Sequence, residues 1–279
     1  VTGLLPDVGN CGEPPSSLLI IGKPVTQSLS PLIQNAAIAA AGINAHYDRL
    51  EVDATELASV LHRCARDGIA GNITMPHKEA AHATIQRLTV LAHRIGSVNT
   101  FWVERGELYG HNTDVEGALA TIRALVPDQL TNRRVAILGA GGSAAAVLFA
   151  VHIAGCTDIH MHSRTPSRGS AIAARVNVPV HLAESALDAV RGAALVINAT
   201  PLGMRDDDAM PVDAAVLDDS CAVFDLVYRR GETAWVRVCR ARGLPAEDGL
   251  RMLVEQGAAA FRAWYGRDPS LEAMWNAVR

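Results

Sequence analysis

Cysteines at metal-binding or disulfide-framework spacing are missing from this sequence: Cys11, Cys64, Cys156, Cys221 and Cys239 are scattered, with no C-x-x-C and no paired-histidine motif. Neither a structural zinc site nor a disulfide scaffold is indicated, and buried free thiols are the expectation. Long apolar runs are missing too. None approaches the roughly 18 residues of a membrane span, and residues 1–17 lack the basic start and apolar centre of a signal peptide. An excess of positive charge is also absent. The net charge is −4 and only 19% of residues are charged, which argues against a phosphate-coating surface and sets nucleic acid aside as a partner. What these absences leave is a cytoplasmic globular protein. Its 279 residues, 49% of them hydrophobic, suffice for two domains or one large one.

One stretch organises the rest. Val135 to Leu138 is an apolar run that passes through Gly139, Ala140, Gly141, Gly142 and Ser143 into a small-residue segment opening at Ala144. The spacing G-x-G-x-x-A after a buried parallel strand is the grammar of a nucleotide-binding turn. Gly139 permits the tight turn, while Gly141 and Gly142 let the backbone approach a pyrophosphate at the positive end of the following helix. Taken alone, the pattern also fits a turn where two backbones merely pack closely; its place between a strand and a helix gives it weight. Beyond Pro127, candidate strands at 134–138, 158–163, 179–182, 194–198 and 222–227 alternate with helices, as in a doubly wound parallel sheet. The second of these strands ends at Ser163, Arg164 and Thr165, with Arg168 close behind. An NAD site usually carries an acidic residue there for the ribose 2′-hydroxyl. Two guanidiniums and two hydroxyls suit a 2′-phosphate instead, so NADP is favoured and NAD is the lesser alternative. His160 and His162 alternate along this strand and read as packed residues, and no metal site is indicated.

The first half of the chain carries a second set of candidates. Residues 1–17, rich in glycine and proline, read as a loosely ordered lead-in. A buried strand at 18–21 follows, then a loop in which Ser30 reads as a helix N-cap and Pro31 as the first helical residue, leaving Ser28 without a structural role. Two hydroxyls at i and i+2 in a strand-to-helix loop are candidate ligand contacts. A strand over 47–52, a helix over 55–66 and a strand over 69–73 lead to Thr74 and Lys78, with Pro76 read as the start of the next helix. Lysine is ordinarily a solvated surface residue, but Asn72 and Thr74 crowd this one at a strand end. A helix from about 86 to 95 is expected to bury Leu88, Leu91 and Ile95 and to end at Gly96, ahead of a hairpin turning at Gly106. Asn99, polar in an apolar strand, must find hydrogen bonds within the fold or offer them to a ligand. Asp114 precedes a helical pattern and is either a chemical group or only an N-cap. Near the end, Gln256 lies among apolar residues of a helix over 250–265, as a core amide or a ligand contact. A last helix over 270–278 docks onto the fold.

Taken together, the motifs resemble those of the shikimate dehydrogenase family from Ile20 to about Tyr265. They are Ser28-x-Ser30-Pro31, Asn72-x-Thr74-x-Pro76-x-Lys78, Val98-Asn99-Thr100, Asn112-Thr-Asp114, the glycine turn at Gly139, Arg164-Thr165-x-x-Arg168, Asn198-Ala-Thr200-x-x-Gly-Met204, Asp225-x-Val-Tyr228 and Gly249-Leu-x-Met252-Leu-x-x-Gln256. The resemblance implies an α/β substrate domain (1–114), a Rossmann-type NADP-binding domain (115–248), C-terminal helices returning to the first domain (249–279), and a cleft between the domains. It further implies reversible NADP-linked oxidation of shikimate to 3-dehydroshikimate in the biosynthesis of aromatic amino acids, by a monomer or homodimer. Lys78 and Asp114 match the catalytic pair. Ser28, Ser30, Thr74, Asn99, Asp114, Tyr228 and Gln256 match substrate contacts. Gly139 to Ala144, Ser163, Arg164, Thr165, Arg168, Thr200, Leu226, Gly249 and Met252 match cofactor contacts.

The assignment agrees with elementary chemistry. Hydride removal from a carbinol leaves an oxygen that must shed a proton, and the reverse reaction must supply one, so a positioned acid/base is required. The nicotinamide carries the redox step itself. Departures from the family pattern are Gln27 for a usual His, His77 where an apolar residue is common, Val115 for Gly, Ser163 for Asn, Arg230 for Pro and Asp248 for Asn. None removes a catalytic group. They leave room for a relative acting on quinate or an aminated shikimate, or for one more tolerant of NAD; a rival reading from another class is a non-catalytic NADP-binding regulator.

Overall fold

The computed structural model describes residues 14–128, 130–205, 207–229 and 231–279. Most of the expected lead-in (residues 1–13, with Cys11) and the departure at Arg230 lie outside the described residues. The chain forms two compact units and crosses between them twice. One contains the residues up to Thr113 together with Val254–Arg279; the other is Asp114–Leu253. Among the described residues no helix is long and apolar enough to cross a membrane.

In the first unit the order is β1 (Ser17–Gly22), α1 (Ser30–Ala40), β2 (His46–Glu51), α2 (Leu57–Asp67), β3 (Ala70–Ile73), α3 (Lys78–Thr84), β4 (Arg87–Leu88), α4 (Val90–Ile95), β5 (Thr100–Glu104) and β6 (Glu107–His111). The strands form a mixed sheet in the order β2-β1-β3-β5-β6-β4, parallel among the first three and antiparallel from β3 through β6. The apolar face of α2, with Leu57, Val60, Leu61 and Cys64, buries against Ile21, Ile73 and Phe101, as its i, i+3, i+4, i+7 spacing requires.

Three local expectations fail here. Ser30 does not cap α1: it lies inside the helix, and its backbone N–H is instead accepted by the Ser28 side chain at 3.2 Å. Ser28 therefore has the structural role that the sequence reading gave to its neighbour. Pro76 does not open α3, which begins at Lys78 after a turn closed by His77 N–H to the Thr74 carbonyl. The helix expected from 86 is cut short. Arg87 and Leu88 extend and pair with Tyr109 and Gly110 of β6, and Thr89 caps α4 by accepting from Ala92 N–H. A cap of that kind contributes about 1 kcal/mol, enough to choose between two starting points for a six-residue helix.

The second unit runs α5 (Asp114–Leu125), β7 (Arg134–Leu138), α6 (Ala144–Ile153), β8 (Asp158–His162), α7 (Pro166–Val176), β9 (His181–Leu182), α8 (Ala186–Val190), β10 (Ala193–Asn198), β11 (Ala222–Asp225), α9 (Ala234–Ala241) and β12 (Ala246–Glu247). Its sheet is parallel throughout, in the order β12-β11-β10-β7-β8-β9. That is the doubly wound order in which the first strand, β7, sits beside the fourth, β10, and ligands bind where the winding reverses. Trp235, Val236 and Cys239 of α9 pack with Val196 and Val223 in its core. Helix α10 (Leu250–Tyr265) begins in this unit and ends in the first, followed by α11 (Leu271–Asn276). Strand β12, two residues long, was not anticipated, because so short a segment carries no periodicity.

Candidate functional site

In the first unit the sheet's polarity gathers the polar candidates at one edge. Strands β1 and β3 both end there, β5 starts there because it runs antiparallel to β3, and β6 ends there. Asn72, at that edge, has its amide fully used: its Nδ2 donates to the Asn99 carbonyl and to Thr100 Oγ1, both at 3.0 Å, while its Oδ1 accepts from Tyr47 Oη at 2.7 Å. Asn99 is buried and central. Its Oδ1 accepts from Thr113 N–H at 2.7 Å and from Thr100 Oγ1 at 3.0 Å, and its Nδ2 donates to Gln256 Oε1 at 3.3 Å. Asn99 and Gln256 find hydrogen bonds within the fold, where the two amides hold one another at the same edge that carries Thr74 and Lys78. The Lys78 carbonyl accepts from Val98 N–H at 3.0 Å, which anchors the start of α3 beside Asn99. Thr74 and Lys78 are both half-buried. Ser28 is half-buried, Ser30 is buried, and both follow the end of β1.

The departure His77 is buried, with its Nε2 2.7 Å from the Val52 carbonyl, so a polar residue at an apolar position is satisfied by the main chain. Sequence reasoning did not assign Thr100 and Thr113, which complete the Asn99 network. Thr100 opens β5 opposite Asn72 in the ladder, and Thr113 lies two residues beyond the end of β6.

In the second unit the glycine turn lies at the winding reversal. Gly139 adopts φ +111°, and a Cβ there would fall 2.6 Å from the Ala199 carbonyl oxygen, so no other residue fits between the ends of β7 and β10. A Cβ on Gly142, by contrast, would meet nothing within 4 Å. That open space lies just ahead of α6, whose first-turn N–H groups and dipole favour an anion. Ala140, Gly141 and Ser143 complete the turn, and Ala144 starts the helix. At the end of β8, Ser163 Oγ donates to the Thr165 carbonyl at 2.9 Å, Thr165 is the residue preceding α7, and the Arg164 and Arg168 side chains are exposed beside it. The residues present therefore fit a dinucleotide with a phosphorylated ribose.

Asp114, buried, is the first residue of α5 and receives Ser143 Oγ in a long 3.5 Å contact. The candidate pair is therefore divided between the units, Lys78 in the first and Asp114 opening the second. Thr200, Leu226, Tyr228, Gly249 and Met252 are also in the second unit. Thr200 is positioned by Asn198, whose Oδ1 accepts from its N–H at 3.0 Å and from its hydroxyl at 2.6 Å. Asn198 Nδ2 in turn donates to Asp225 Oδ1 at 2.8 Å, and Asp225 Oδ2 accepts from Thr233 Oγ1 at 2.8 Å. Burial pushes the Asp225 carboxyl up, and hydrogen bonds from Thr233, Asn198 and Val227 oppose that. Gly249 is a packing glycine: a Cβ would lie 2.2 Å from the Leu226 carbonyl oxygen. Met252 is buried, whereas Leu226 and Tyr228 are partly exposed.

Residues 20–101 match the shikimate dehydrogenase substrate binding domain, and residues 249–279 match the Shikimate 5′-dehydrogenase C-terminal domain. A shikimate dehydrogenase (NADP(+)) of Rubrobacter xylanophilus is 41% identical over 267 residues, covering 93% of this chain and 94% of its own. Among solved structures, shikimate dehydrogenase from Aquifex aeolicus superposes with a TM-score of 0.89 at 30% identity, covering 95% of this chain and 97% of its own. Shikimate 5-dehydrogenase from Thermus thermophilus, in complex with NADP(H) and shikimate, gives 0.85 at 36% identity, covering 94% and 98%.

Proposed function

Because the chain belongs to the shikimate dehydrogenase family, we propose that it interconverts shikimate and 3-dehydroshikimate, with Lys78 and Asp114 as the acid/base pair, in the biosynthesis of aromatic amino acids. It is an NADP-dependent oxidoreductase of that family. Bound NADP supplies the hydride exchange. The protein's own contribution is to hold the polyol and to handle the proton. In the reducing direction the Lys78 ammonium donates a proton to the oxygen of the ketone as it becomes an alkoxide; in the oxidising direction the neutral amine takes that proton back. The Asp114 carboxylate orients the lysine and the reacting hydroxyl. Thr74, Asn99 and Gln256 offer directed hydrogen bonds to ring hydroxyls, and Ser28, Ser30 and Tyr228 offer hydroxyls to the substrate carboxylate.

The observation that supports this reading is the Asn99 network. Val98 N–H holds the backbone of Lys78, and the Asn99 side chain holds Thr113, the residue before Asp114. A binding module without turnover has no use for an acid/base pair. Lys78→Ala is expected to lower turnover by at least about 100-fold, the lower range for loss of an acid/base group, while NADP affinity measured by fluorescence titration stays unchanged. Unchanged turnover would remove Lys78 from the mechanism.

A further inference from the structure

The start of β8 carries a cluster that the dehydrogenase reading does not use. Asp158 and His160 are two residues apart on one strand, so their side chains share a face. Strand β9 runs parallel to β8 with His181 registered opposite His160, and β7 places Arg134 opposite Asp158. Only the sheet register brings His181 to His160, 21 residues away in sequence. The two imidazoles stack with centroids 4.8 Å apart. His160 Nε2 is 3.0 Å and His181 Nε2 3.9 Å from the same carboxylate oxygen, Asp158 Oδ1. The other oxygen, Oδ2, is taken by Arg134 Nε at 3.2 Å. All three ligand atoms lie within 4.8 Å of one another.

We propose that Asp158, His160 and His181 bind one divalent transition-metal cation, Zn²⁺ foremost, and that the ion clips the edge strand β9 to β8. Imidazole nitrogen and carboxylate oxygen are the donors such an ion takes at about 2.0–2.2 Å, and ligand atoms around a tetrahedral ion then stand roughly 3.3 Å apart. The observed nitrogen–oxygen separations of 3.0 and 3.9 Å bracket that value, and no two of the three ligand atoms stand more than 4.8 Å apart. Burial and the Arg134 guanidinium hold His160 below the usual histidine range, opposed by the hydrogen bond and charge of Asp158. When Nε2 becomes the ligand, the single ring proton sits on Nδ1. Arg134 leaves Oδ1 available and, by engaging Oδ2, fixes the carboxylate as a one-oxygen ligand, with water completing the coordination. Two imidazoles and a carboxylate favour Zn²⁺, Ni²⁺ or Cu²⁺ over Mg²⁺ and Ca²⁺, which prefer all-oxygen sites.

The strand itself, about 16 Å long at roughly 3.3 Å per residue, separates Asp158 from the arginines beyond its other end, so the ion's role is structural. Calorimetric titration of the full-length protein with zinc chloride is expected to show one equivalent bound. Thermal melts are expected to show a higher Tm with the ion than without. His181→Ala, at an exposed position, should keep the dehydrogenase rate and the metal-free Tm. It should weaken zinc binding at least about ten-fold, the scale on which even outer-shell partners act, and abolish the Tm shift. His160→Gln should do the same to zinc binding. Failure of the parent protein to bind zinc, or binding equal in the parent and in His181→Ala, would overturn the proposal.

Discussion

Arg164 and Arg168 stand exposed around the end of β8, beside Ser163 and Thr165. Their guanidinium forks match phosphate oxygens, and nothing acidic in that loop offers itself to a 2′-hydroxyl. Replacing both with alanine is expected to raise KM for NADP about ten-fold or more, a loss of about 1.4 kcal/mol, while KM for NAD changes little. Equal increases for the two cofactors would show that the pair does not read the phosphate. Asp248, which departs from the family's usual asparagine, gives a second prediction at this scale. Burial pushes its carboxyl up to about 6, aided by the nearby Glu247 and Asp225 carboxylates and opposed by the Leu250 N–H it accepts. A carboxyl raised in the folded state stabilises fully below its unfolded value and loses that contribution as pH rises through about 6. An asparagine in its place would accept the same N–H without titrating. The Tm of Asp248→Asn relative to the parent should therefore climb between about pH 4 and pH 7. A Tm difference that stays flat with pH would contradict this account of Asp248.

Among the elements, the turn after β7 separates packing from binding. Gly139→Ala would place a methyl 2.6 Å from the Ala199 carbonyl at a φ of +111°. Strain of that kind costs on the order of 1–3 kcal/mol, so a lower Tm together with loss of NADP binding is expected. Gly142→Ala meets no protein atom within 4 Å. It should melt like the parent yet bind NADP more weakly if the pyrophosphate takes the open space ahead of α6 that the methyl would enter; parent-like NADP affinity would place the pyrophosphate elsewhere. The strands flanking this turn were legible because β7 and β10 are continuous apolar runs bounded by glycine or polar residues. The short elements were not. Leu88 fits a helical stripe by spacing, and only the ladder to Gly110 and the Thr89 cap show that it is extended. Ser28 and Ser30 could be told apart only once the backbone showed which hydroxyl reaches an N–H.

For the whole molecule, the residue types of the candidate site were readable in the sequence, and their arrangement was not. Asn99 and Gln256 stand out as polar residues in apolar surroundings, Lys78 as an amine crowded by polar neighbours at a strand end and Asp114 as a carboxylate ahead of a helical pattern, but sequence spacing gives no hint that Asn99 bonds Gln256 across 157 positions. The Asp158, His160 and His181 cluster was hidden for the same reason. The most direct test of the central claim is a steady-state absorbance assay of cofactor reduction that crosses shikimate and quinate with NADP and NAD. The account predicts that shikimate with NADP is the dominant reaction. If quinate or NAD dominates, the substrate or cofactor assignment is contradicted while the fold stands. If all four reactions are silent although NADP binds, the dehydrogenase reading itself fails.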